Sequence, residues 1–200
     1  MLILINGGPA LDRFGTNGSL GRLVSPRSGN MILPGQRWAA DNDAFLAWDE
    51  TRFLKMLARL DGVPGCLFIA APDVVADARA TRDRFDDWRD EIAGRGFPVA
   101  LVGQDGAEGM DIPWEAFDCW FIGGTTAWKL SAASEELARE AKRRGKWIHM
   151  GRVNTRCRLR HAAEIGCDSV DGTGWSMFPD KYLANGLRWL REIERQPSMF

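Results

Sequence analysis

Histidine and cysteine are scarce in this chain of 200 residues, and their scatter excludes several chemistries. Only His149 and His161 are present, and Cys66, Cys119, Cys157 and Cys167 form no Cys-x-x-Cys pair. A structural zinc site needs four such ligands at close spacing, so none is expected. Nothing demands disulfides, and a thiol in an apolar run is ordinarily a small buried hydrophobe. No stretch reaches the roughly 18 uninterrupted apolar residues of a membrane helix. The opening Met1-Leu2-Ile3-Leu4-Ile5-Asn6-Gly7 lacks the basic and long apolar regions of a secretory signal, so a cytoplasmic protein without a membrane partner is expected. No Gly-x-Gly-x-x-Gly follows the first apolar run, and Gly7-Gly8-Pro9 leads into no helical pattern, which argues against a Rossmann dinucleotide site. Repeats and low-complexity tracts are absent.

What is present suits one domain with a real core: 45% of the residues are hydrophobic and 26% charged. The formal charge of −1 conceals an uneven distribution. Asp73 to Glu91 holds seven acids against four arginines, whereas Arg139 to Arg160 holds nine basic residues against Glu140 alone. Lys142, Arg143 and Arg144 fall in the last turn of a predicted helix, where cations complement the dipole. Arg152, Arg156, Arg158 and Arg160 follow a strand end instead, and are candidates to contact the phosphates of a nucleic acid.

Apolar, β-rich runs occur at 2–5, 38–40, 66–70, 98–102, 119–122, 146–150 and 167–170. Between most of them, 51–60, 75–93, 131–144, 155–165 and 180–195 carry apolar residues at helical spacing. Gly62, Gly94, Gly145 and Gly166 stand where helix C-caps belong. Repeated strand and helix alternation implies a parallel sheet with right-handed crossovers. Seven strands are countable against the eight of a closed ring. The expectation is therefore a single compact TIM-type (β/α)8 barrel over 1–200, irregular or incomplete, with turn-rich 7–35 as a mobile loop region.

Polar groups gather where the apolar runs stop: Asp41-Asn42-Asp43, Ala71-Pro72-Asp73, Val102-Gly103-Gln104, Ile122-Gly123-Gly124, His149-Met150-Gly151 and Asp168-Ser169-Val170-Asp171. A parallel barrel builds an active site at those ends, so the placement points to an enzyme. The ordered set, from about Trp38 to Trp175, resembles the tRNA-guanine transglycosylase superfamily, including its phage and bacterial relatives that place 7-deazaguanine bases in DNA. Asp41 and Phe45 match the family's Asp-Ser-Gly-Gly-Phe segment without its glycines. Asp73, Gln104 and Gly123-Gly124-Thr125 match the base-recognising strand ends, and Asp171 stands at the nucleophile's place. The Cys-x-Cys-x-x-Cys zinc module of the tRNA enzymes has no counterpart here, and Gly172-Thr173-Gly174-Trp175 replaces a Pro-Thr-Arg segment. The resemblance thus implies a pentosyltransferase that exchanges guanine for a 7-deazaguanine-type base in nucleic acid, with DNA favoured over tRNA, without a cofactor. A second copy or a partner subunit is expected to complete the nucleic-acid groove.

Base exchange at a sugar needs a carboxylate on the far face of C1′, because the transition state has oxocarbenium character and an anion both stabilises and traps it. Asp171 is favoured, with Asp168 as the rival. Residues three apart on a strand face opposite sides, so only one of the two points into the mouth. Asp41, with Asp43 as rival, is the candidate to manage the base's protons. Asp73, the Gln104 carboxamide and the Gly124 N–H suit the edge of a guanine, while Phe45 and Met150 suit its faces. His149 and Gly123 complete the candidate set. Each has a structural competitor: Asp73 as a helix cap, Gln104 as a turn residue, Met150 and His149 as core. Two other functions fit the same residues. One is a metal-dependent barrel hydrolase using Asp41 or Asp43, Asp73, His149 and Asp171. The other is a non-catalytic module that binds nucleic acid or a modified base.

Overall fold

The computed structural model describes residues 1–7, 14 and 18–195. Eight parallel strands close into a barrel in chain order: β1 Leu2–Ile5, β2 Leu20–Val24, β3 Trp38–Ala40, β4 Cys66–Ala70, β5 Val99–Gly103, β6 Cys119–Ile122, β7 Trp147–Met150 and β8 Ser169–Asp171. The ring is complete because β8 pairs with β1, Ile3 opposite Val170. The strand missed in the sequence is β2, which lies inside the segment expected to be a loop from Gly7 to Gly35. It is short, carries Gly21 and Arg22, and no helix separates it from β3, so neither apolar run length nor helix alternation marks it. Residues 8–13 and 15–17 of that segment lie outside the described residues.

Around the ring run α1 Glu50–Leu60, α2 Ala78–Ala93, α3 Thr126–Lys129, α4 Ala132–Arg143, α5 Arg156–Glu164, α6 Thr173–Met177 and α7 Ala184–Arg195. Several start at a side-chain cap: Asp49, Asp77, Ser131 and Thr155 each accept a hydrogen bond from the first turn. The cap of α2 is Asp77, which frees Asp73 for another role. Gly94 is right-handed, with φ −61°, and the left-handed residue after α2 is Gly96 instead.

Strand alternation sorts the core into two layers. Ile3, Ile5, Trp38, Ile69, Trp120, Ile148, Met150 and Val170 face outward and pack with helix residues such as Phe53, Phe85, Leu159 and Leu187. Leu2, Leu4, Leu23, Phe68, Val102, Cys119 and Phe121 fill the interior. The Phe68 ring lies 6.0 Å from Phe121 and 5.0 Å from His149, so His149 is part of the inner layer. Among the described residues no helix is long and apolar enough to cross a membrane.

Candidate active site

At the C-terminal ends of the strands a cavity of about 490 Å³ opens, floored by Leu4, Leu23, Val102 and Phe121. Its walls carry Asp41, Asp43, Asp73, Gln104, Arg152 and Asp171, with Gly123 and Gly151 where the backbone comes close. A Cβ on Gly123 would sit 2.6 Å from Val102 Cγ1 and 2.9 Å from Gln104 Nε2, so any side chain there displaces the wall. The non-glycine residues with positive φ among those described, Asp43, Ala76 and Arg152, all lie at or beside this mouth. Such conformations cost about 1–3 kcal/mol each and persist where the surroundings enforce them.

Asp171 ends β8. The fully buried His149 donates from Nε2 to its Oδ2 at 2.9 Å, and the Arg152 N–H donates to Oδ1 at 3.1 Å. The tautomer of His149 follows from its other contacts. Trp147 Nε1–H donates to Ser169 Oγ at 2.8 Å, which leaves the Ser169 hydroxyl to donate to His149 Nδ1 at 2.8 Å and places the ring proton on Nε2. Burial pushes the Asp171 carboxyl up, but the hydrogen bond from His149, the Arg152 N–H and the Lys129 charge outweigh it and hold the group below the usual aspartate range. Asp171 is therefore a carboxylate at neutral pH.

Asp41, just beyond β3, behaves oppositely. Burial first, then the charges of Asp171, Asp73 and Asp43, push its pKa up to about 7 against the opposing Asn42 N–H at 2.7 Å. Asp73 is also raised by burial, against donors from Asn42 Nδ2 at 2.8 Å and Gln104 Nε2 at 2.5 Å. One cavity thus holds an ionised aspartate and one poised to carry a proton, the separation of roles that acid and nucleophile require.

The remaining candidates divide clearly. Gln104 lines the wall but its Oε1 accepts the N–H groups of Ala76 and Gly124, both at 2.9 Å, so it ties loops together and the Gly124 N–H does not face a ligand. Phe45 stands exposed at the lip under the Arg152 guanidinium, 4.9 Å from its ring centroid. Met150 faces the helices, so it cannot stack on a base in the cavity; the inward residues are its neighbours His149 and Gly151. Asp168 is at the opposite end of β8, bound to Lys142 Nζ at 2.7 Å and the Ile148 N–H at 2.9 Å, which removes it as a rival nucleophile. Asp43 reaches the cavity, and its Oδ2 accepts the Arg27 N–H at 2.9 Å. Of the four arginines only Arg152 lines the cavity, donating to the Gly124 carbonyl. Arg158 donates to the Arg152 carbonyl at 3.3 Å, whereas Arg156 pairs with Glu192 and Arg160 with Glu164 on the exposed surface. Sequence reasoning gave no role to Asn42, whose Nδ2 bridges Asp73 and the Ala71 carbonyl, or to Lys129.

A metal fits poorly. Among the described residues no group of three or more His, Cys, Asp or Glu could hold an ion, and both nitrogens of His149 are engaged.

No family model and no curated protein matches the chain. Among solved structures it is similar to a protein of Silicibacter pomeroyi DSS-3, provisionally described as a glycerophosphoryl diester phosphodiesterase, with 16% identity, a TM-score of 0.42, and coverage of 79% of this chain. The match spans about half of that protein, at 50%. The likeness is too weak to bear on the chemistry of the cavity.

Proposed function

We propose that the chain acts in the cytoplasm as a base-exchanging pentosyltransferase similar to the tRNA-guanine transglycosylase superfamily, replacing guanine in DNA by a 7-deazaguanine-type base. The observation that carries this reading is two aspartates in opposite surroundings on one cavity: Asp171 accepts from His149 and the Arg152 N–H, which hold it low, whereas Asp41 is buried among carboxylates that push it up to about 7. In the first step the Asp171 carboxylate bonds to C1′ while the glycosidic C–N bond breaks, and the Asp41 proton passes to the departing base. In the second, Asp41 takes the ring N–H proton of the incoming base, whose nitrogen bonds to C1′ as the Asp171 ester bond breaks. Each group ends as it began. Asp73, with the Asn42 and Gln104 amides fixing both its oxygens, presents an acceptor to the base edge, and the apolar floor excludes water. Phe45 and Arg152 at the lip meet the nucleotide as it enters. Water in place of the incoming base would give hydrolysis with the same residues.

Wild type and Asp171→Ala would be incubated with guanine-containing DNA, tRNA and an isotope-labelled 7-deazaguanine base, and the digested polymers analysed by mass spectrometry. Label in DNA with wild type alone supports the proposal, and label in tRNA alone moves the substrate. Loss of guanine without label identifies hydrolysis. Salt-dependent binding without turnover, equal in both proteins, supports a binding module.

A further inference from the structure

We propose that Lys129 is a positioning residue for Asp171: its buried ammonium holds the Gly151 carbonyl of the turn whose next N–H is given to the carboxylate, and its charge adds to the positive potential there. Lys129 ends α3 and is 1% exposed. Its Nζ donates to the Gly151 carbonyl at 2.6 Å. The next residue, Arg152, is held at φ +60° and gives its N–H to Asp171. Lys129 therefore acts one peptide away from a hydrogen bond that positions the carboxylate.

The helix that carries it is pinned at its start. Thr125 Oγ1 donates to Asp105 at 2.6 Å, its N–H donates to the same carboxylate at 2.7 Å, and the Lys129 N–H returns to the Thr125 carbonyl at 3.0 Å. The groups that face the ammonium are Arg152 and Arg158, which disfavour its charge, and Asp171 and Asp105, which favour it. Burial comes first, and the balance lowers the lysine to about 7. A neutral amide would satisfy the Gly151 carbonyl without the cost of burying a charge. What the ammonium adds is a positive potential at Asp171, in a site where low polarity makes charge more effective than in water. Coupling of this kind is reciprocal, so Asp171 must in turn favour the lysine's proton.

The test reads the two groups directly. Wild type, Lys129→Gln and Lys129→Met would be prepared with ¹³C-carboxyl aspartate, and wild type and Asp171→Asn with ¹³Cε-lysine, and all titrated by NMR. The Asp171 midpoint is expected to rise in both lysine variants, including Lys129→Gln, which retains a donor for Gly151. The Lys129 midpoint is expected to fall in Asp171→Asn. An unchanged Asp171 midpoint in folded Lys129→Gln, or an unchanged Lys129 midpoint in Asp171→Asn, overturns the proposal. If the glutamine variant does not fold, the lysine titration decides. A kinetic arm rests on the transglycosylase reading: Lys129→Gln should lower kcat about tenfold with KM within twofold. Inactive wild type would defeat that reading and leave the titration result standing.

Discussion

Burial and three neighbouring carboxylates favour the neutral form of Asp41, and this has a cost for stability that can be measured. Its pKa in the native state, about 7, lies above the ordinary aspartate value of 3.8, so its contribution is fully present below pH 4 and lost as pH rises through 7. Asp41→Asn, neutral throughout, should therefore match wild type near pH 4 and be more stable near pH 8 by on the order of 2–4 kcal/mol, since one pKa unit is worth about 1.4 kcal/mol. Urea unfolding at the two values checks the sign. The same substitution removes the proton donor, and turnover should fall by about 10²–10⁴. In wild type, turnover should decline above about pH 7 as Asp41 ionises. The identities of Asp41, Asp73 and Asp171 were legible because acids at strand ends are visible as letters. The support given by Lys129 was not, because a lysine 42 residues before Asp171 carries no local sign of burial.

At the scale of elements, the strand-end loops are joined by side chains that read as ligand contacts in the sequence. Gln104 is the central case. A carboxamide offers the same donors and acceptors to a base edge as to backbone, and only the fold decides that Ala76, Gly124 and Asp73 take them. Gln104→Ala leaves the buried Gly124 N–H, the part-buried Ala76 N–H and one carboxylate oxygen without these partners. The expected loss is about 2–5 kcal/mol, with water entering the cavity offsetting part of it. Chemical denaturation measures it, and a loss below about 0.5 kcal/mol would show that the ties do not support the wall. Met150 was misplaced by the phase of alternation: periodicity identifies a strand without saying which of its faces meets the helices. The competing role of Asp73 as a helix cap could be decided only by the fold, in which Asp77, four residues on, takes the cap.

For the molecule as a whole, barrel closure brings Asp41 and Asp171, 130 positions apart in the chain, to one cavity. The class of fold was legible from alternating strands and helices, but strand β2 was not, because it is built for crowding rather than for apolar length. A Cβ on Gly21 would lie 2.7 Å from Leu4 Cδ2 and 2.9 Å from the Arg37 carbonyl, which already accepts the Arg22 N–H at 2.9 Å. Gly21→Ala should destabilise the barrel by about 1–3 kcal/mol through overpacking, seen as a lower Tm. An unchanged Tm would show that the β1–β2 seam yields freely. The most direct test of the account is to incubate radiolabelled DNA without incoming base and separate the products on a denaturing gel, with adduct sites mapped by peptide mass spectrometry. A protein–DNA adduct on Asp171, absent in Asp171→Asn, is the expected result; an adduct on another residue, or one that persists in Asp171→Asn, would contradict it.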